Sequence, residues 1–267
     1  MRILIGGLGD LGRRVAALWS ADGHTVTGIR RSEAPSTADW QTLRADMAEL
    51  EPGRFADVDL ALFCASPDAR EPEAYRRCYQ LAAGQFMASV GPDARRLLVT
   101  STAVIEGADG EWVDEGRHAP PQRWNGKLLA EAEAALRKQW PDLCTLRPSG
   151  LYGPGRDWLL RRVRAGESGT GRYTHRIHID DCARAIVHLV KLDDLADSYI
   201  LSDDAPLMEW QVMRGLATML GMPATAATGG CAAQGRRLSN RRLHDSGFRL
   251  SFPDFRAGYA GLLAVAA

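Results

Sequence analysis

Gly6, Gly9 and Gly12 stand at three-residue intervals in GGLGDLG, directly after the apolar run RILI. Each glycine at that spacing has a physical job. The first ends a strand in a tight turn, the second lets backbone approach a pyrophosphate, and the third lets helix and strand pack closely. The N–H groups of the first helical turn, here at Asp10 and Leu11, then face an anion with the positive end of the helix dipole. The next residues are RRVAALWSADG, a helical pattern, and HTVTGIRR, a second strand. Strand, glycine turn, helix and strand within about 30 residues form the unit of a dinucleotide site.

The end of the second strand selects the nucleotide. An Asp or Glu there accepts from the ribose hydroxyls of NAD. This chain instead reads Gly28-Ile29-Arg30-Arg31-Ser32. Two guanidiniums and a hydroxyl suit a 2′-phosphate, which a carboxylate would repel. The expected cofactor is therefore NADP(H). Asp46 in RADM is placed to accept from the adenine amino group, and equally to cap a helix. Ala65 and Ser66, at the end of the next apolar strand, lie beside the expected dinucleotide path.

These residues need a scaffold, and the rest of the chain supplies one. Continuous apolar runs at 2–5, 59–65, 96–101 and 143–148 read as parallel strands covered on both faces. Helical segments are expected near 75–89 and 127–139, between strands. The alternation gives an α/β fold with a doubly wound parallel sheet of Rossmann type over residues 1–150. After Pro148 the glycine- and proline-rich SGLYGPGRDW leaves the sheet. IHIDDCARAIVHLVKL reads as a helix headed by Asp180 or Asp181, and SYILSD as a last strand, so 176–201 returns to the core. Residues 151–175 and 202–267 are left for a smaller lobe, with ATAATGGCAAQG as a small-residue linker.

Bulk properties exclude several classes. Lys plus Arg and Asp plus Glu both number 33, so the net charge is zero and a sequence-independent nucleic-acid binder is not expected. No apolar stretch approaches the roughly 20 residues of a membrane span. The N-terminus runs straight into the glycine turn and reads as a strand rather than a signal peptide, which suits a cytoplasmic protein. Cys64, Cys78, Cys144, Cys182 and Cys231 are odd in number with no C-x-x-C, as expected of reduced, buried thiols. His175 and His178 are three apart without a second ligand pair, so no metal site is expected.

The order of GGLGDLG, FCASP, VTSTAVIEG, LRPSGLYGPGR, RIHIDD and SNRRLHDSGF resembles the extended short-chain dehydrogenase/reductase superfamily in its epimerase/dehydratase branch. The resemblance covers nearly the whole chain. It implies a Rossmann core, a small C-terminal substrate lobe and a nicotinamide cofactor over the cleft between them. In that family a serine or threonine after the fourth strand holds the substrate oxygen, and a tyrosine moves the proton. A lysine four residues after the tyrosine binds the ribose. Ser101 or Thr102 matches the first role and Lys127 the third. In PPQRWNGKLLAEAEAAL the tyrosine's position holds Arg123, and no tyrosine lies between Tyr79 and Tyr152. The chain is thus similar to atypical members.

Losing a general acid costs about 10²–10⁴ in rate, yet hydride transfer belongs to the cofactor. An iminium substrate needs no donor. For a carbonyl, Tyr152 is one replacement, beside His118, Trp124, Asn125 and His178. Arg156, Asn240 and Arg241 are expected at the substrate, and Arg147 and Arg242 add positive charge there. The expectation is an NADP(H)-dependent oxidoreductase acting on a small or nucleotide-linked carbonyl or imine, at a cleft of Ser101, Thr102, Lys127 and Tyr152. A sugar-nucleotide epimerase or dehydratase and a non-catalytic NADP(H)-binding sensor are the alternatives. Helices near 75–90 and 127–139 would form a homodimer contact by analogy with the superfamily.

Overall fold

The computed structural model describes residues 1–33, 39–117, 119–223 and 232–265. His118, Cys231 and most of the small-residue linker lie outside the described residues. Seven strands form the main sheet: β1 (Arg2–Gly6), β2 (Thr25–Arg30), β3 (Gln41–Arg44), β4 (Leu60–Phe63), β5 (Arg95–Val99), β6 (Cys144–Pro148) and β7 (Ser198–Leu201). Their order is β7-β6-β5-β4-β1-β2-β3. β1 pairs in parallel with both β2 and β4, and the β2–β3, β4–β5 and β5–β6 pairs are parallel too. The order reverses beside β1, which makes the ends of β1 and β4 the topological switch point where ligands sit in open α/β sheets. The register brings Gly6 level with Ile29 on one side and Phe63 on the other.

The apolar runs form strands because the sheet is buried on both faces. All four residues of β4 are inaccessible to solvent, and burial of each large aliphatic or aromatic side chain contributes about 1.5–3 kcal/mol. β3 escaped the sequence reading because QTLR is an edge strand with no fully buried residue.

Two compact units result. Unit 1 comprises residues 1–104, 120–147 and 183–199, and unit 2 comprises 105–119, 148–182 and 200–267. The segment 105–119, expected with the first unit, clusters with the second, and the returning segment is 183–199 rather than 176–201.

In unit 1, helix α1 (Asp10–Ala21) buries Leu11, Val15 and Trp19 along one stripe, a four-residue repeat that faces the sheet. Three abutting helical pieces, Pro72–Tyr75, Arg76–Ala82 and Ala83–Ala88, make up α2, the middle one wound as a π-helix. α3 spans Trp124–Gln139, starting three residues before the expected Lys127. Its buried face carries one charge, Glu133. Glu133 accepts from the Thr100 hydroxyl at 2.6 Å and pairs with Arg147 at 2.6 Å. Arg147, expected to attract anions, is therefore committed to a buried ion pair.

Unit 2 is built from α4 (Trp158–Arg164), the start of α5 (Ile179–Leu189), α6 (Glu209–Met219), α7 (Arg241–Asp245) and α8 (Phe255–Val265). Short pairs brace them: Gly150–Tyr152 with Arg176–His178, Tyr173–Thr174 with Leu207–Met208, and Trp112–Val113 with Arg237–Leu238. Its core gathers Tyr152, Met213, Leu216, Phe255 and Tyr259. Asp181 is fully buried and accepts from the N–H groups of Ser251 and Phe252, at 3.0 and 2.7 Å. That carboxylate ties the turn before α8 to the head of α5.

Removing one partner of a buried pair leaves an uncompensated charge, at a cost of about 3–5 kcal/mol. Glu133→Leu should therefore lower stability in urea unfolding by about that amount, and Glu133→Leu with Arg147→Met by clearly less. A double variant as unstable as the sum of the single ones would contradict the pairing.

Candidate functional site

The glycine turn sits where the strand ends meet. Gly7 takes a left-handed φ of 104°, and a Cβ on it would lie 2.6 Å from the Ala65 backbone. Its N–H donates to the Ile29 carbonyl at 3.0 Å. The positive φ falls on Gly7, one residue after the position assigned from the sequence; Gly6 itself is the last residue of β1. Gly12 starts α1 so tightly that a Cβ would lie 2.1 Å from the Gly7 carbonyl oxygen. Gly9 is the N-cap of α1, has extended backbone and offers no side-chain cap. A Cβ on Gly9 would meet nothing within 4 Å. The helix thus presents bare N–H groups beneath open space, a cradle that fits a pyrophosphate. Asp10 turns its carboxylate to Arg14 at 3.1 Å, and Leu11 is buried, so what both offer a ligand is backbone.

At the end of β2, Arg30 donates to the Ser32 hydroxyl through Nη2 at 2.6 Å and Nε at 3.2 Å. No carboxylate among the described residues engages Arg30. Arg31 is different: its guanidinium forks onto Asp68, with Nη1 to Oδ2 at 2.7 Å. That contact holds the Asp68 carboxyl below its usual range. Of the two arginines, Arg30 is the one left for a phosphate. Asp46 accepts from the Ala48 N–H at 3.0 Å and from Arg77 at 2.5 Å. It caps the short helix Met47–Glu49, so both carboxylate oxygens are in use and the adenine assignment gives way to the cap. Ala65 lies against Gly7, and Ser66 is exposed just beyond.

The third cluster surrounds the start of α3. Ser101 accepts from the Ala103 N–H at 3.2 Å, and Thr102 opens the short helix Thr102–Val104. Gly126 lies against that turn: a Cβ on it would be 2.3 Å from the Ala103 carbonyl oxygen. Lys127, the next residue, is exposed. Its N–H donates to the Arg123 carbonyl at 3.0 Å, and Arg123 is the extended N-cap outside the helix. The head of α3, where Lys127 stands, thus packs through Gly126 against the turn that follows Ser101.

Tyr152 belongs to unit 2, where it is buried, stacks on Tyr259 at 4.9 Å and donates to the Asp254 carbonyl at 3.3 Å. Burial also pushes its phenol pKa up. Its ring also lines a cavity of unit 2, and burial disfavours its phenolate. His178 is buried against Phe252, with ring centroids 3.9 Å apart. Asn240 donates to the Ser202 carbonyl and to Asp204, at 2.9 and 2.7 Å, so its amide serves a turn. Arg241 is exposed and reaches Asp245 at 3.4 Å, and Arg242 reaches Glu115 at 3.7 Å.

No family model matches the chain. It is 33% identical to a structure from Methylobacillus flagellatus described as an NAD-dependent epimerase/dehydratase, covering 99% of this chain and 98% of that one with a TM-score of 0.80. The chain belongs to the epimerase/dehydratase-like branch of the extended short-chain dehydrogenase/reductase family. It is also 25% identical to the Bos taurus epimerase family protein SDR39U1, over 99% of this chain and all of that one. The human SDR39U1 structure with NADPH has the same fold, with a TM-score of 0.76 at 19% identity over 99% of both chains.

Within unit 2 of this reductase/epimerase-type chain, Arg156 lines a cavity of about 470 Å³ together with Trp158, Thr174, His175 and Arg176. Burial lowers His175 to about 3, so the ring is neutral and accepts from the Leu238 N–H at 3.1 Å. Behind the wall, Asp203 is 2% exposed and lies 4.0 Å from the Arg176 guanidinium. Burial pushes its carboxyl up to about 7. No sequence signal marked Asp203, because SYILSDD reads as an ordinary strand exit.

An acid whose folded-state pKa is raised keeps its proton longer when folded, so its contribution to stability is full below about pH 4 and is lost as pH rises through about 7. Asp203→Asn cannot ionise and keeps an oxygen for the Ala205 N–H. Relative to wild type it should gain on the order of 3 kcal/mol between about pH 4 and pH 8 in urea unfolding. A constant difference across that range would contradict the raised carboxyl.

Proposed function

We propose that the chain is an NADP(H)-dependent oxidoreductase that reduces a small or nucleotide-linked carbonyl or imine. The observation that carries this reading is the end of β2, where Arg30 and Ser32 form a donor pair with no carboxylate between Gly28 and Ser32. That pair suits a 2′-phosphate. The NADPH in the human SDR39U1 structure supports the same choice, while the Methylobacillus protein is described as NAD-dependent. When bound, the nicotinamide supplies the hydride.

The chain's own residues have the following parts. The N–H groups at Asp10 and Leu11 hold the pyrophosphate, Arg30 and Ser32 hold the 2′-phosphate, and Lys127 donates to the ribose hydroxyls. The Ser101 hydroxyl, half-buried at the head of its turn, holds the substrate oxygen, with Thr102 beside it. Epimerisation and dehydration rank second. They begin by taking a proton from an alcohol, and position 123, an arginine outside the helix, offers no base for that step.

Charged hydrogen bonds contribute about 1.5–3 kcal/mol each. Arg30→Ala should therefore weaken NADPH binding by roughly 10- to 100-fold and leave NADH binding unchanged in calorimetric titration. Wild-type protein that binds NADH more tightly than NADPH would overturn the cofactor assignment.

A further inference from the structure

A carbonyl needs a proton as well as a hydride, and Tyr152, bonded to the Asp254 carbonyl with its phenol pKa pushed up by burial, is a weak source of it. The chain has six tyrosines, and three of them, Tyr75, Tyr79 and Tyr199, lie in unit 1 with the cofactor cradle. Tyr79 is 7% exposed and Tyr199 only 3%, and the Tyr199 hydroxyl oxygen accepts from the Ala196 N–H. Tyr75 is half-buried, and no described residue takes up its hydroxyl.

The position of Tyr75 is the telling fact. Its ring stands edge to face against Trp124, with centroids 5.0 Å apart. Trp124 is the first residue of α3, and Lys127 follows three residues later. Residues at that spacing share a helix face, so Tyr75 borders the face of α3 that carries Lys127. Gly126, between them in the chain, is the residue held against Ala103 beside Ser101 and Thr102. Tyr75 also ends the first helical piece of α2, immediately before the π-wound segment, a departure from α winding that recurs at functional sites.

We propose that Tyr75 is the proton donor of this site, reaching it from α2 in place of a residue at position 123; the assignment rests on the oxidoreductase reading above. In the reaction the carbonyl carbon gains the hydride and its π pair moves to the oxygen. The oxygen takes the proton from Tyr75 Oη, and water restores the phenol. Lys127, a cation on the same helix face, favours the phenolate left behind.

Fluorine NMR of protein labelled with fluorotyrosine tests this without turnover. Loss of one resonance in Tyr75→Phe assigns the Tyr75 line. On adding NADP⁺ that line should shift, as expected for a ring beside the newly bound cofactor, and Lys127→Ala should reduce the shift. A Tyr75 line that ignores NADP⁺, while calorimetry shows NADP⁺ bound, overturns the donor assignment and leaves the cofactor reading intact. If NADP⁺ does not bind, the oxidoreductase reading fails and the donor assignment with it. Kinetics separate donation from packing, since phenylalanine keeps the ring against Trp124. Tyr75→Phe should slow NADPH-dependent reduction of phenanthrenequinone by about 10²–10⁴. It should spare reduction of N-methyl-dihydroisoquinolinium, an iminium that needs no proton. Equal losses on both probes, or none on the quinone, contradict the role.

Discussion

Two helices of this protein meet turn carbonyls with no side chain between them, and the site depends on that exclusion. At Gly12 a Cβ would lie 2.1 Å from the Gly7 oxygen, and at Gly126 a Cβ would lie 2.3 Å from the Ala103 oxygen. The first contact fixes the head of α1 over the end of β1 and leaves its first N–H groups without a side-chain cap. The second fixes the head of α3, where Lys127 stands, beside the turn after β5. A methyl group at either place would push a helix start away from the strand ends. The helix starts at α1 and α3 thus both trace to backbone packing.

Behind the second contact lies the one buried charge network of α3. Glu133, Arg147 and Thr100 bond to one another beneath the sheet's end. A buried pair of this kind adds little net stability over apolar residues, but it tolerates no partial loss. Its geometry joins α3 to β6 and to the residue preceding Ser101. The charge that sequence reading assigned to anion attraction, Arg147, serves alignment instead.

Much of this was legible from residue order because the relevant signals are local. Glycine spacing, the arginines after β2 and the apolar runs each depend on a few neighbours. Edge strand β3 was missed since it has one apolar residue and none that is fully buried, so no periodic pattern betrays it. The stacking of Tyr152 on Tyr259 was not legible either, since it joins residues more than 100 positions apart. Asp46 and Asn240 misled, their polar atoms being claimed by nearby backbone and by Arg77 and Asp204. The contact of Tyr75 with Trp124 joins residues 49 apart, and no sequence pattern links them. Pairings across long loops are where one-dimensional reading stops.

The protein therefore has a glycine-lined helix start that fits a dinucleotide, and the proposed reaction would take its proton from a residue off the usual helix. The central claim is that hydride transfer persists in that arrangement. NADPH deuterated separately on each face of the nicotinamide ring, incubated with the protein and a cell metabolite extract, tests it by mass spectrometry of the products. The account predicts label delivered from one face only into a reduced product, and lost with Lys127→Ala. Tight NADPH binding with no label transferred from either face would contradict it and leave a nucleotide-binding protein without catalysis.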